Sequence, residues 1–160
     1  MQLEIWSLGK ENDAFIDEGL EYYFKKIRHY HPIRLTLLQT KGKQATTDIE
    51  RVKLQEEELI LSRLQPFHML ILLDERGKAL TSPQWAHQLQ SFMNQGAKVV
   101  VFLIGGAYGV TDVVRRRAAQ VWSLSPLVFP HQLVRLIMAE QIYRSVSILN
   151  NLPYHHGERE

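Results

Sequence analysis

Five short segments rich in apolar residues, separated by polar stretches, predict five β-strands along the chain. Two of them, residues 69–73 and 99–104, are apolar at every position, which is typical of strands buried on both faces of a sheet. Gly9 closes the first segment, and a charged stretch that begins at Asp74 follows the third. The predicted strands comprise residues 3–8, 33–38, 69–73, 99–104 and 121–124.

Segments in which apolar residues recur three and four positions apart predict five helices, one after each strand. The first carries an apolar set that begins with Phe15 and must end before Pro32, and the last extends from about 132 to 149. Residues suited to helix N-termini precede the first four. They are Asn12 or Asp13 for the first helix, the capping box Thr47-x-x-Glu50 for the second, Ser82 followed by Pro83 for the third, and Thr111 or Asp112 for the fourth.

The strict alternation of strands and helices predicts an α/β fold with a parallel sheet covered on both faces. Ligands of such sheets bind at the carboxyl ends of the strands. Three predicted loops lie at such ends, and they comprise residues 74–78, 105–109 and 124–130. We expect a ligand site there.

Composition narrows the class of protein. At about 100–200 residues per domain, 160 residues predict one domain. The absence of cysteine excludes disulfides, thiolate zinc sites, iron–sulfur clusters and cysteine nucleophiles. No apolar run approaches 18 residues, and the N-terminus has no signal-peptide pattern. We therefore expect a cytoplasmic protein without a membrane anchor.

The glycines of the 105–109 turn form a distinctive local motif. They follow a buried strand in the pattern GGxxG, which differs from the dinucleotide-binding GxGxxG, and no GxxxxGK[ST] motif is present. Adjacent glycines allow a ligand to approach the backbone closely. A tight strand-to-helix turn explains the same residues, so both interpretations remain open here.

Other candidate chemistry is weaker. Asp74, at a strand end, allows a phospho-acceptor of the receiver type, but a solvated loop carboxylate is the favoured interpretation. Ser123 and Ser125 near His131 lack the nucleophile elbow of a hydrolase. The seven histidines form only the pairs 29/31 and 155/156, which match no zinc spacing, so no metal site is expected.

Charge is spread unevenly along the chain. The formal net charge is only +2, yet five arginines face a single acidic residue, Glu140, between residues 113 and 157. The run 115–117 is typical of a solvated helix face, whereas Arg135 and Arg144 are the better candidates for phosphate or base contacts. Tyr143 and Tyr154 offer stacking surfaces for an unpaired base.

The last predicted helix is apolar around most of its circumference. Eleven of the eighteen residues 132–149 are apolar, more than one stripe requires. Burial by a second subunit is favoured over one deep core, so we expect a homodimer.

Five motifs occur together in an order and spacing that resemble a known family. They are LIGG at 103–106, WSLS at 122–125, FPHQLVR at 129–135, EQIYR at 140–144 and PYH at 153–155. With them the whole chain resembles the RlmH family, the SPOUT-class methyltransferases of bacterial large-subunit ribosomal RNA.

The resemblance implies a parallel-sheet SPOUT fold with a C-terminal deep trefoil knot, roughly at residues 68–155 of a single 1–160 domain. It implies a homodimer that binds S-adenosylmethionine in the knot. It also implies methylation of the N3 of a pseudouridine in 23S rRNA of the assembled 70S ribosome, at the subunit interface. An inactive ribosome-binding factor with the same fold and a small-molecule methyltransferase are the alternatives.

The resemblance also implies the site residues. For the cofactor they are Leu73, Gly105, Gly106, Leu124, Ser125, Pro126, Leu127, Val128 and Phe129. For catalysis they are His131, Arg135, Tyr143, Arg144, Tyr154 and His155, in which a His or Tyr would accept the N3 proton or an Arg would stabilise the anion.

Overall fold

The computed structural model describes residues 1–40 and 48–156, and it contains the five strands and five helices in the predicted order. Strands and helices alternate throughout this part of the chain. The elements are β1 (Gln2–Leu8), α1 (Ala14–Ile27), β2 (Ile33–Leu38), α2 (Ile49–Arg63), β3 (His68–Ala79), α3 (Ser82–Asn94), β4 (Val99–Ile104), α4 (Asp112–Arg117), β5 (Gln120–Ser123) and α5 (His131–Leu149).

The strands form one parallel sheet in the order β2-β1-β4-β3-β5, which confirms the predicted fold class. In register, Leu3 of β1 lies between Ile33 of β2 and Val100 of β4. Because all strands are parallel, their carboxyl ends meet at one edge of the sheet. The residues that follow β1, β4 and β5 therefore lie along that edge.

Each face of the sheet carries its own apolar core. Phe102 of β4 packs with Trp122 and with Met138 of α5 in the core that α1, α3 and α5 cover. Leu103 of β4 points to the opposite core, where it packs with Ile60 of α2 and other side chains. This two-sided burial explains why β4 is apolar at every position.

The caps of two helices differ from the predicted ones. Asp48 caps α2, and its carboxylate accepts from the backbone N–H groups of Glu50 and Arg51, while the predicted cap Thr47 lies outside the described residues. Thr81, one residue before Ser82, caps α3 in a reciprocal capping box with Gln84. The hydroxyl three residues before a glutamine completes the box, and Ser82 does not have that spacing.

The prediction that residues 74–78 form a loop is wrong, because β3 continues to Ala79. Leu73 and Lys78 both pair with Trp122 of β5, so the residues between them bulge out and the pairing then resumes. Gly77 allows this arrangement, since a Cβ there would lie 2.6 Å from the Trp122 carbonyl carbon. Because the residues of the bulge are mostly polar, the apolar pattern in the sequence stops before the strand does.

Candidate active site

A cavity of about 570 Å³ lies at the carboxyl edge of the sheet. We call it the main cavity. The ends of β3 and β4, the glycine turn after β4 and the segment after β5 enclose it, and the first residues of α5 close one side. Its position agrees with the expectation that parallel sheets bind ligands at the ends of their strands.

Eight of the nine residues predicted for the cofactor line this cavity together. They are Leu73, Gly105, Gly106, Leu124, Ser125, Leu127, Val128 and Phe129. Pro126 is exposed and is absent from the lining. Its neighbours Leu127 and Val128 are 67% and 84% exposed, so the segment presents apolar side chains at the cavity with nothing packed over them within the described chain.

Two serines hold the segment after β5 in place. The Ser123 hydroxyl donates to the carbonyl of Ser125 at 3.3 Å, and the Ser125 hydroxyl accepts from the backbone N–H of Leu127 at 3.0 Å. These local bonds fix the turn that carries Leu127 and Val128 over the cavity. They also give Ser123 and Ser125 a structural purpose in place of a hydrolytic one.

The glycine motif is both a tight turn and part of the cavity wall. The N–H of Gly109 donates to the carbonyl of Gly106 at 3.0 Å, and Gly109 has a φ of +77°, a conformation that favours glycine. Gly105 packs so closely that a Cβ there would lie 3.0 Å from Val110. The tight-turn interpretation is therefore confirmed, and the ligand-contact interpretation stays a prediction for glycines that line the main cavity.

Asp74 is an ion-paired carboxylate and not the solvated loop residue that we expected. Its side chain bonds with Arg115 of α4 and accepts from the backbone and side chain of Arg76. Burial acts to raise the pKa of the Asp74 carboxyl, but the bonds from Arg76 and Arg115 outweigh burial and lower that pKa overall. The pairs hold the bulge of β3 against α4 at the rim of the main cavity.

The arginine run of α4 is correspondingly less solvated than predicted. Arg115 pairs with Asp74, and Arg117 donates to the carbonyls of Gln65 at 3.1 Å and His68 at 3.5 Å. Of the three, Arg116 alone is exposed.

Asp74→Asn is expected to destabilise the fold by about 1–3 kcal/mol at neutral pH, because it leaves Arg115 without its charged acceptor. Since the pKa of Asp74 is lowered in the folded state, its contribution is present above the unfolded pKa and is lost as pH falls through the folded value. Urea unfolding between pH 2 and pH 7 measures both effects, and the neighbouring exposed variant Glu75→Gln is the control. Equal unfolding curves for the two variants would contradict the role assigned to Asp74.

Four of the six predicted catalytic residues gather at the far end of α5. We call this the terminal cluster, and it consists of Tyr143, Arg144, Tyr154 and His155. The Arg144 side chain donates to Glu140 at 3.0 Å, approaches His155 Nδ1 at 3.3 Å and lies 4.9 Å from the Tyr154 ring centroid. The Tyr143 and Tyr154 rings lie 4.7 Å apart.

Hydrogen bonding in the terminal cluster defines what it offers a ligand. Burial raises the pKa of the Tyr154 phenol, and its bonds with Tyr23 and Glu140 raise it further. Arginine can only donate, so Nδ1 of His155 is the acceptor in its contact with Arg144. The Tyr154 proton is given to Glu140, so the donors that the cluster offers a ligand are the remaining N–H groups of Arg144, which suit the stabilisation of a developing anion better than the removal of a proton.

Arg135 lies inside the protein, with 1% of its surface exposed. Its guanidinium donates to the Ser7 hydroxyl at 2.8 Å, to the carbonyls of Leu8 and Lys10 at 3.3 and 2.9 Å, and to the Asn12 side chain at 2.6 Å. It thus ties the first turn of α5 to the segment after β1. This arrangement favours a positioning role over direct contact with a substrate.

Within one protomer the predicted catalytic residues do not meet. His131, the first residue of α5, lines the main cavity. Tyr143 stands twelve residues later, about 18 Å along the helix axis at 1.5 Å per residue. A ligand confined to the main cavity would therefore not reach the terminal cluster of the same chain.

No sequence motif marks Lys53 or Glu56 of α2, which also lie at this edge of the sheet. Lys53 lines the main cavity, and Glu56 lines a neighbouring one. The sequence does contain an indication for Glu56, because this residue stands four positions from Val52 and four from Ile60, which are both buried. A charged residue within the buried stripe of a helix indicates a special role.

Neither a metal-binding cluster nor a membrane-spanning helix occurs in the part of the chain that the structure describes. Residues 1–40 and 48–156 contain no group of three or more His, Asp or Glu side chains placed to hold a metal ion. In the same ranges no helix combines the length and apolarity needed to span a bilayer.

Comparison with known proteins identifies the family. Residues 1–155 match the family described as "Predicted SPOUT methyltransferase". A protein of Cytophaga hutchinsonii named "Ribosomal RNA large subunit methyltransferase H" is 42% identical over 98% of this chain and 100% of its own length. Proteins of the same name from Trichlorobacter lovleyi and Parabacteroides distasonis are 42% and 38% identical, each over 98% of this chain and 100% and 99% of their own lengths.

A solved structure shows the same fold at low sequence identity. It is a probable methylase family protein from Haemophilus influenzae Rd KW20, and it superimposes with a TM-score of 0.51 at 10% identity over 93% of this chain. The chain spans 66% of that protein's length. The resemblance seen in the five sequence motifs is thereby confirmed, and the chain belongs to the RlmH family of SPOUT-class methyltransferases.

Proposed function

We propose that this protein transfers a methyl group from S-adenosylmethionine to a base of bacterial large-subunit ribosomal RNA. The observation that carries the proposal is the main cavity, where eight of the nine residues predicted for the methyl donor line one space. The relatives whose names state a ribosomal RNA methyltransferase support the same activity.

The lining of the main cavity suits S-adenosylmethionine. Its volume of about 570 Å³ lies within the range of about 300–1,000 Å³ that is common for ligand pockets. Leu73, Leu127 and Phe129 offer apolar surface for the adenine ring, and the backbone at Gly105 and Gly106 is open to close approach. When bound, the donor supplies an activated methyl group on a positively charged sulfur. The protein supplies orientation, which is worth about 7–11 kcal/mol of the barrier.

A homodimer would complete the site. Leu133, Ile137, Arg144 and Ile148 share one face of α5, and Leu133 is exposed while the two isoleucines are half-buried. On the neighbouring α1, Phe15 and Tyr22 are also exposed. Pairing these faces buries apolar surface and brings the terminal cluster of one protomer towards the main cavity of its partner. Sedimentation equilibrium at micromolar concentration tests this, and a monomer there would contradict it.

The proposed target is the N3 of a pseudouridine in 23S rRNA within the 70S ribosome, which would place the protein in the cytoplasm. His131 is the one predicted catalytic residue in the lining of the main cavity, so its imidazole accepts the N3 proton. Arg144 donates hydrogen bonds to the ring as it becomes an anion, and Tyr154 and His155 orient Arg144, because Tyr154 donates to Glu140, which pairs with Arg144, and His155 accepts from Arg144. Arg135 positions His131 by anchoring the first turn of α5.

The chain acts as one methyltransferase domain in this proposal, with the trefoil knot roughly at residues 68–155. The parallel sheet and the position of the main cavity, between the ends of β3 and β4 and the segment after β5, are compatible with such a knot. An inactive ribosome-binding factor of the same fold is the second candidate.

Transfer of tritium from S-adenosyl-[methyl-³H]methionine tests the function directly. The protein is incubated with 70S ribosomes, separated subunits and free 23S RNA, and digestion of the RNA to nucleosides identifies the labelled base. We expect label in N3-methylpseudouridine, and most of it from 70S particles. Label in no RNA would overturn the proposal, and binding to 70S particles without label would favour the inactive factor.

A further inference from the structure

A second cavity, of about 640 Å³, opens beside the main cavity at the carboxyl ends of β1 and β2. Gly9, Lys10 and Glu56 contribute to its wall. Gly106, Ala107 and His131 belong to the lining of both cavities. A ligand in the main cavity therefore has a polar space next to it, across the glycine turn.

Glu56 is the unusual residue of the second cavity. Its side chain is 9% exposed, and its Oε2 atom is buried without a hydrogen-bond partner in the described part of the chain. Burial raises the pKa of the carboxyl. The neighbouring carboxylate of Glu57 accepts a hydrogen bond from the Thr111 hydroxyl, which contrasts with the unpaired Oε2 atom of Glu56. Buried polar atoms are nearly always paired, and an unpaired one at a cavity indicates a ligand.

The Glu56 carboxyl faces the turn that separates the two cavities. A Cβ at position 106 would lie 2.7 Å from Glu56 Cδ, so the carboxyl approaches Gly106 as closely as only glycine permits. Because Gly106 has no side chain, the Glu56 carboxylate can lie at the boundary of the main cavity. Packing alone gives no reason to place an unpaired charge there.

We propose that Glu56 binds the α-ammonium group of the methyl donor's amino-acid end, which extends from the main cavity into the second cavity. This inference rests on the proposed function. An ammonium group offers three donors and a positive charge, which match an unpaired buried carboxylate. Lys10, in the same wall, carries the charge that suits the α-carboxylate of the same ligand. The second cavity is thereby the subsite for a zwitterionic amino acid.

Two ligands that differ in the amino-acid end can distinguish binding of that end by Glu56 from a general effect of Glu56 on the structure. S-adenosylhomocysteine carries the amino-acid end, and 5′-methylthioadenosine lacks it. Titration calorimetry measures both with the wild-type protein, with Glu56→Gln and with the control Glu58→Gln, which alters an exposed carboxylate on the same helix. We expect Glu56→Gln to weaken S-adenosylhomocysteine at least tenfold and to leave 5′-methylthioadenosine within twofold of wild type, while Glu58→Gln changes neither.

The remaining outcomes each overturn the inference. Equal weakening of both ligands would assign Glu56 to the shape of the glycine turn. Unchanged binding of S-adenosylhomocysteine together with a lower rate of RNA methylation would mean that the Glu56 carboxylate accepts a hydrogen bond from the RNA base and not from the ammonium group. Absence of S-adenosylhomocysteine binding to the wild-type protein would overturn the proposed function as well, whereas wild-type binding that Glu56→Gln does not alter would leave that function standing. Circular dichroism melting confirms that each variant is folded.

Discussion

Tyr154→Phe is expected to lower kcat for ribosomal RNA methylation by about 10²-fold, because loss of the bond from the Tyr154 hydroxyl to Glu140 lets the Glu140–Arg144 pair move away from the developing anion. The ring and its packing against Tyr143 stay in place, so S-adenosylhomocysteine binding should not change. Burial and the bonds with Tyr23 and Glu140 raise the pKa of the Tyr154 phenol, which agrees with a hydroxyl that donates to Glu140. Single-turnover methylation of 70S particles measures the change.

The control for this prediction is Tyr30→Phe, which removes a hydroxyl from an exposed tyrosine outside the terminal cluster and should leave the rate unchanged. His155→Ala should resemble Tyr154→Phe, because Arg144 holds both side chains. Wild-type rates for both Tyr154→Phe and His155→Ala would remove the terminal cluster from the active site. They would also remove the main reason to place the two ends of α5 together in a dimer.

Arg135→Met is expected to lower the free energy of unfolding by about 3 kcal/mol, since bonds from a charged donor are worth about 1.5–3 kcal/mol each. Methionine fills much of the space but leaves the Ser7 hydroxyl and the carbonyls of Leu8 and Lys10 without their donor. Urea unfolding at one fixed protein concentration measures the loss, because the stability of the proposed dimer would depend on concentration.

Arg116→Met is the matched control, since this arginine is exposed on α4, and it should stay within about 0.5 kcal/mol of wild type. Arg135→Lys should fall between the two, because lysine keeps the charge but loses the fork geometry. If Arg135→Met unfolds like wild type but methylates at a much lower rate, the guanidinium acts on the substrate and the positioning role is wrong.

Local patterns in the sequence were sufficient to predict most of the fold. The unbroken apolar run of β4 indicated burial on both faces, and the structure has one core on each side of it. The bulge of β3 was not predictable, because its residues are charged and its pairing depends on Trp122 of a distant strand. The cap of α3 was misplaced by one residue, since Thr81 and Ser82 are both good caps and only the spacing to Gln84 decides between them.

The candidate site was predictable in parts. Eight of the residues implied by the resemblance line one cavity, and the helix predicted over 132–149 already implies that Tyr143 lies about 18 Å from His131 along its axis. The sequence could not show that Arg135 is buried, because its partners come from residues 7–12, far away along the chain. Glu56 shows the reverse case. Its position in the stripe of Val52 and Ile60 was visible in the sequence, yet only the structure reveals that its carboxylate reaches Gly106.

The bulge of β3 contributes residues to the rim of the main cavity that take no part in the strand pairing of the sheet. Because Leu73 and Lys78 pair with the same residue of β5, the chain between them leaves and rejoins the ladder at one point. Charge changes at the exposed Glu75 would therefore leave the register of both strands intact, whereas the ion pairs of Asp74 and the close approach of Gly77 to Trp122 constrain those two positions. The exposed part of the rim is a place where substrate preference can be engineered without redesign of the scaffold.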